Sequence, residues 1–352
     1  MRDITVCKFG GSSLADAECF RRVGDIIHSD SRRQCIVVSA PGKRSPGDIK
    51  VTDLLISAWN SAGEARLAAI NSVRAKFCRI AMDLGLQPPY SALYRLKAYI
   101  RQGRDAIASR GEYLSAMLLA EYLALPFIDA AELFIFRSGA LDIGATYSNL
   151  RSIDVPCVIP GFYGSDETGA IVTFPRGGSD ISAAHVAAAL GADLYENWTD
   201  VNGFYTADPA IVTDALPIPH LSCSQAQLFT YLGAGVLHYE SVAPAAEAGV
   251  PIIIKNTFSP DAPGTLITPG AAGDMPCVAS KRLSGDAYLL SCANLAPHLA
   301  GNFSSAVPLE RHIMEYGGTY SVECTAGELH TLTAAIHAAC IGQPAISRCR
   351  EV

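Results

Sequence analysis

Residues 8–13 read Lys8-Phe9-Gly10-Gly11-Ser12-Ser13, and residues 174–180 read Phe174-Pro175-Arg176-Gly177-Gly178-Ser179-Asp180. Each follows a short β-rich run and precedes a helical pattern, so each reads as strand, diglycine turn and helix start. Two glycines let the backbone approach an anion, a helix N-terminus presents free N–H groups, and Lys8 adds a full positive charge. The first turn is not a Walker loop, because the GxxxxGK[ST] order is absent and the lysine precedes the glycines. Taken alone it suits a phosphate cradle and a tight turn beside a solvated lysine equally well. In the second turn Arg176 can grip a carboxylate or phosphate with its planar fork, and Asp180 sits in a first helical turn where its charge suits the dipole. The plainer reading there is a surface cation and a first-turn acid. Two such turns in one chain favour an anion-binding role over either plain reading.

Outward from these turns, β-rich runs at Ile4 to Phe9, Cys35 to Ser39, Val155 to Phe162, Ala170 to Phe174, Asp193 to Trp198 and Pro251 to Lys255 alternate with helical stretches. That alternation predicts an α/β domain with a mainly parallel sheet. Phe20, Val23, Ile26 and Ile27 make one apolar stripe, and Ser13 to Asp16 fits a capping box at its start. Ser109 to Glu112 repeats the cap pattern before Tyr113 to Ala124, and Ser179 opens an alanine-rich helix closed by Gly191. Residues 41–50 form a basic, mobile loop after a buried strand. A third stretch, Trp198 to Pro209 (WTDVNGFYTADP), is a strand end followed by turn residues. Ligands gather at the carboxyl ends of strands in open α/β sheets, which places Thr199, Asp200 and Tyr205 to hold a nucleotide. Prolines and glycines between 260 and 274 mark a break, giving a domain over 1–270 and a smaller α+β unit over 271–352.

The 352 residues carry a formal net charge of −7, with 49% apolar and 17% charged residues. Such a chain buries a large interior and lacks the basic footprint of a nucleic-acid or anionic-membrane partner. A small-molecule ligand is the expectation. The 11 cysteines show no CxxC and no spacing that closes a tetrahedral metal site, so no metal ligands are assigned. They read as reduced thiols, and with no leader-like start and no long apolar run the protein is expected in the cytoplasm.

KFGGSS, SRGE, GFYGSDETGAIVTFPRGGSD, WTDVNGFYTADP, LGAGVLH and KNTFSPDAPGTLI occur in the order and spacing of the aspartate kinase family, so residues 3 to 268 resemble that family within the amino-acid kinase fold. The resemblance implies a three-layer αβα sandwich, with the N-terminal half holding the amino acid and the C-terminal half the nucleotide. It implies phosphorylation of the aspartate β-carboxylate by ATP with Mg²⁺, at the entry to lysine, threonine and methionine synthesis. Lys8 is similar to the family's transition-state lysine, and Gly10, Gly11 and Ser12 to its phosphate-facing turn. Ser39 and Thr52 resemble residues near the substrate carboxylates, Glu112 the acid that receives the ammonium, and Arg176, with Gly177, Gly178 and Ser179, the clamp on the α-carboxylate. Asp180 matches the aspartate that orients the lysine; Thr199, Asp200, Tyr205, Lys255 and Asn256 match nucleotide contacts. Glu112 keeps a rival role as the third-position acid of a capping box.

The family pattern fails at three places. Ala210 stands where YTxDP is usually followed by arginine, the loss of a charge-assisted contact worth roughly 1.5 to 3 kcal/mol. Gly233 to Tyr239 lacks the usual lysine and proline, leaving His238 a structural rather than a catalytic residue. The 82 residues of 271–352 leave space for about one βαββαβ regulatory ACT domain where the family carries two. Strands at Ala287 to Ala293 and Tyr320 to Cys324 and a helix at Leu329 to Cys340 suit a reduced ACT-like or dimerisation unit. Weak or absent feedback by lysine or threonine, and a homodimer, are the expectations. The alternatives are a kinase for another small acidic amino acid and a catalytically weak binding subunit.

Overall fold

The computed structural model describes residues 3–175, 177–270, 273 and 275–342. The chain divides into two compact units, Met1–Asn202 with Glu240–Pro263, and Gly203–Tyr239 with Gly264–Val352.

In the first unit five strands run parallel in the order Cys157–Pro160, Arg33–Val38, Thr5–Phe9, Leu194–Thr199, Ile252–Asn256. The central strand Thr5–Phe9 is buried at every residue, as a parallel strand covered on both faces must be. Cys7, Phe9, Ile36 and Val38 face one core with Phe20, Val23, Phe77, Leu114 and Leu118, residues of the helices Ala17–His28, Gly63–Asp83 and Arg110–Leu123. Helix Gly178–Leu190 covers the opposite face and packs on Thr5–Phe9 and on the helices Ile143–Arg151 and Val242–Glu247. Its alanines let it sit close to the sheet with almost every residue buried. The result is helices, sheet, helices: the mainly parallel α/β sheet that the alternation predicts, in the three layers that the resemblance implies. The expected strand at Ala170 to Phe174 exists as Ile171–Thr173 but joins a separate small sheet, antiparallel to Tyr163–Asp166.

Two helix starts differ from the sequence reading. Ser12–Leu14 is a 3₁₀ turn, and the long helix begins at Ala17 with the Asp16 side chain accepting from Cys19 N at 3.0 Å. Ser13 cannot cap, because its hydroxyl bonds that of Thr257 at 2.7 Å inside the protein. Ser109 caps nothing either: its hydroxyl donates to Ala106 O and accepts from the Arg110 guanidinium. The alanine-rich helix starts at Gly178 behind a left-handed Gly177 and closes on a left-handed Gly191.

Segment 41–50 is irregular but not loose. Lys76 of helix Gly63–Asp83 donates to Gly42 O at 2.8 Å, Asp48 Oδ2 at 2.9 Å and Ile49 O at 3.2 Å.

The second unit contains a four-stranded antiparallel sheet in the order Cys277–Ser284, Ala287–Ala293, Thr319–Thr325, Ile313–Tyr316. Helix Ala326–Cys340 packs on it through Leu332 and Ile336, against Leu290, Phe303 and Val322. Strands and helices follow one another along the chain as ββαββα, with the shorter helix at Ala300–Ala306. The parallel pair His220–Ser222 and Thr265–Thr268 also belongs to this unit.

Candidate active site

The carboxyl ends of the parallel strands in the first unit carry most of the sequence-predicted residues. Lys8 and Asn197 are register partners on adjacent strands, and both side chains meet Asp180 from the first turn of helix Gly178–Leu190. Lys8 Nζ lies 2.5 Å from Asp180 Oδ1 and 3.4 Å from Asn197 Oδ1, while Asn197 Nδ2 donates to Asp180 Oδ1 at 3.1 Å. Lys8 is only 7% exposed, so its charge is one that the low-dielectric interior tolerates because it is paired. Asn197 is a site residue the sequence reading missed; its signal is that it pairs in register with Lys8, which no sequence shows.

The turn after the first strand has no slack. Gly10 N donates to Trp198 O at 3.0 Å, and a Cβ built on Gly10 would lie 3.5 Å from Lys8 Nζ. A Cβ on Gly11 would lie 2.8 Å from Ala40 O, and Gly42 N donates to Gly11 O at 2.7 Å. The Gly11 and Ser12 N–H groups find no acceptor among the described residues. The free amides thus come from a 3₁₀ turn rather than from the long helix, whose start lies at Ala17.

Ser39 follows the neighbouring strand, its N–H on Phe9 O at 3.1 Å. Thr52 lies in the first turn of helix Val51–Asn60. Glu112 is buried, and burial pushes its carboxyl up to about 8, against the pull of the Ala40 N–H, its own N–H and the Arg110 charge. One of its oxygens, Oε2, has no hydrogen-bond partner among the described residues. The capping-box role is therefore vacant, and Glu112 is left as a buried acid with one oxygen unused among the described residues. Arg110, missed in the sequence, stacks its guanidinium over Tyr99, Tyr113 and Tyr163 at 4.6, 4.7 and 5.0 Å from the ring centres.

Arg176 lies outside the described residues. Gly177 and Gly178 beside it are required by geometry: Gly177 has φ +81°, and a Cβ on Gly178 would lie 2.7 Å from Phe162 and Phe174 atoms. Phe162, a bulky residue at φ 80°, sits in the same crowded corner. Ser179 touches Gly161, where a Cβ would lie 2.8 Å from its own Cβ.

At the next strand ends the Thr199 hydroxyl donates to Asp200 Oδ1 at 3.2 Å. Lys255 Nζ reaches Ala262 O at 2.5 Å and lies 5.8 Å from the centre of the Trp198 ring; burial lowers its pKa. The Asn256 amide is engaged internally, donating to Asn202 Oδ1 and accepting from Phe258 N, both at 2.8 Å. Tyr205 belongs to the second unit, where it bridges to Pro217. Ala210, in the same unit, donates its N–H to Asp208 Oδ1 at 2.9 Å. The arrangement in the first unit can hold an anion against Lys8 and free amides, and a cation against Glu112.

Residues 3–256 match the model of the amino acid kinase family. Aspartokinase 3 of Bacillus subtilis is 36% identical over 289 residues, which is 74% of this chain and 63% of that protein. Aspartokinase 1, chloroplastic, of Arabidopsis thaliana is 32% identical over 295 residues, 75% of this chain and 52% of that protein. The chain thus spans less than two thirds of the length of these relatives. The crystal structure of Clostridium acetobutylicum aspartate kinase matches with a TM-score of 0.82 at 29% identity, covering 96% of this chain and all of that one (100%).

Proposed function

The chain belongs to the amino acid kinase family, and on that footing we propose that it is an aspartate kinase, moving the γ-phosphoryl group of ATP onto the β-carboxylate of L-aspartate to give 4-phospho-L-aspartate. The observation that carries this reading is Glu112, a fully buried acid with an unpartnered oxygen in the unit that holds the Lys8–Asp180 pair. Without a partner that acid keeps its proton at neutral pH; once ionised it needs a cation, and the ammonium of an amino acid supplies one. The relatives named aspartokinase support the same substrate.

No general base is needed, because a substrate carboxylate with a pKa near 4 is already ionised at neutral pH. The work left is to align two anions and to offset charge that spreads over the transferring phosphoryl group. Lys8 and the Gly11 and Ser12 amides face that group, and Gly10, its own N–H on Trp198 O, lets the turn pass close to Lys8. Asp180 and Asn197 fix the direction of the Lys8 ammonium. Arg176, with Gly177, Gly178 and Ser179, takes the α-carboxylate, Glu112 the ammonium, and Ser39 and Thr52 flank the substrate. Thr199, Asp200, Lys255 and Asn256 line the nucleotide end. Among the described residues no three His, Cys, Asp or Glu side chains gather to hold a metal. Mg²⁺ would enter as a companion of ATP and would supply neutralisation of the phosphate charge.

We read 1–270 as the catalytic part and 271–352 as a reduced ACT-like or dimerisation part of a cytoplasmic homodimer, with weak or no response to lysine and threonine. Among the described residues no helix is long and apolar enough to cross a membrane. The deciding assay is incubation with MgATP, a candidate acid and hydroxylamine, which traps an acyl phosphate as hydroxamate. Hydroxamate with aspartate is the expected result. Product only with another small acid would overturn the substrate, and no product with any acid would overturn the enzyme.

A further inference from the structure

The geometry points to Lys76 as a positioning residue for phosphoryl transfer, its buried ammonium clipping segment 41–50 in the shape that presses Gly42 against Gly11 and so sets the phosphate-facing turn. The inference rests on the aspartate kinase reading for its kinetic part and on geometry alone for the clip.

The Lys76 side chain is 7% exposed. An ammonium has three hydrogens, and here they meet three acceptors: Gly42 O at 2.8 Å, Asp48 Oδ2 at 2.9 Å and Ile49 O at 3.2 Å. A helix that only needed to pack would bury an apolar side chain at this position, because a buried charge costs several kcal/mol to desolvate. The cost is met only where every hydrogen is used. Asp48 is built to receive it: its other oxygen accepts from Ile49 N at 2.9 Å, and Arg44 N reaches Oδ2 at 3.0 Å. Burial works against the Asp48 charge, yet the Arg44 N–H and the Lys76 ammonium hold its carboxyl well below the usual range. The cleft beside Lys76 is lined by Arg21, Arg44 and Arg79 as well as Asp16, Glu18 and Asp83, so acids and other cations both face it.

From the clip to the site is one step. Gly42 carries the Lys76 bond on its carbonyl and donates its N–H to Gly11 O at 2.7 Å. A Cβ on Gly42 would lie 2.7 Å from Gly11 C and 2.9 Å from Ser12 N, so the two backbones interlock. Past the segment's far end Val51 N, where the helix carrying Thr52 begins, donates back to Pro41 O beside Gly42 at 3.1 Å. Releasing the Gly42 carbonyl lets the segment back away from Gly11, and the free amides of Gly11 and Ser12 lose their fixed direction.

The test is Lys76→Met in the full chain. We expect kcat to fall about 10- to 100-fold, the scale of a displacement near 1 Å at a reacting group, with the KM values for ATP and aspartate changed by less than about threefold, as for an interaction that matters only in the transition state. The Gly42 amide, read by hydrogen exchange, should exchange at least about tenfold faster than in the parent protein. Asp48→Asn should weaken the same clip, and adding it to Lys76→Met should cost little more, since both act on one contact. If Lys76→Met fails to fold, Asp48→Asn carries the same kinetic and exchange comparison. A kcat within about twofold of the parent together with unaltered Gly42 exchange overturns the inference, as does a lowered Tm with unchanged kinetics. A parent protein that yields no hydroxamate with aspartate overturns the proposed activity instead, and Gly42 exchange still decides whether the clip exists.

Discussion

Replacing Glu112 by glutamine should make the empty protein more stable at pH 7 while weakening its hold on aspartate. The Glu112 carboxyl titrates near 4.5 in an unfolded chain and near 8 in the fold, burial being the main cause. Between those values the folded protein keeps a proton that the unfolded chain has released. Stability therefore falls as pH rises through that window and levels off above it. At pH 7 the accumulated loss is about 3 kcal/mol, from 1.36 kcal/mol per unit over the interval. Glutamine never ionises and removes this loss, but its amide leaves a donor unpartnered where Oε2 now stands, at a cost of about 1–2 kcal/mol. The net gain is about 1–2 kcal/mol at pH 7, a rise in Tm of about 2–8 °C for a unit of this size. Near pH 4.5 the gain should vanish and leave only the amide cost. The same variant loses a charge-assisted contact to the substrate ammonium, about 1.5–3 kcal/mol, so the KM for aspartate should rise about 10- to 100-fold with the KM for ATP unchanged. The parent enzyme has its own signature: because only ionised Glu112 receives an ammonium, its KM for aspartate should fall about tenfold between pH 7 and pH 9. Thermal melts from pH 4.5 to 8 and substrate titrations by hydroxamate yield measure all of this. A variant less stable than the parent at pH 7, or one with an unchanged KM for aspartate, refutes the reasoning.

Three other outcomes can be checked with the same assay. If, as proposed, Lys8 faces the transferring group, Lys8→Ala should lower kcat about 100-fold or more while circular dichroism stays native; near-normal kcat would remove the assignment. Gly42→Ala forces a Cβ to within 2.7 Å of Gly11 C, so kcat should drop about 10- to 100-fold through displacement of the turn, and an unaffected rate would show that the turn can yield. Lysine or threonine at sub-millimolar level should leave the rate unchanged, and a strong fall would show a working effector site.

What the sequence made legible was local. Diglycine turns, a first-turn acid at Asp180 and strand–helix alternation are written in neighbouring residues, and each is present where expected. The misreadings arose where another partner, distant or adjacent, took up a side chain that the local pattern had claimed. Ser13 reads as a cap until Thr257, far along the chain, takes its hydroxyl. Ser109 and Glu112 read as a capping box until the guanidinium of Arg110 occupies the first and burial isolates the second. Asn197 and Lys76 gave no signal at all, because an asparagine in a strand and a lysine in a helix look ordinary until the sheet register and the returning segment bring Lys8 and Gly42 to them.

The charge on Lys8 shows why a three-membered arrangement serves an acidic protein better than a bare lysine. An ammonium has three hydrogens; one reaches Asp180 and one Asn197, and no third acceptor is found among the described residues. Those two bonds fix the Nζ position beside Gly10 and leave one hydrogen to point out of the pair. Asp180 alone would offset the lysine's charge without fixing its direction, since a single contact lets the side chain swing. Asn197 adds direction without adding charge, and by donating its Nδ2 to Asp180 it also ties the carboxylate. Removing it by Asn197→Leu should therefore leave the Lys8–Asp180 pair and the nucleotide KM in place while kcat falls about tenfold, a loss of aim rather than of attraction. A proportional rise in KM for ATP would show instead that Asn197 serves binding.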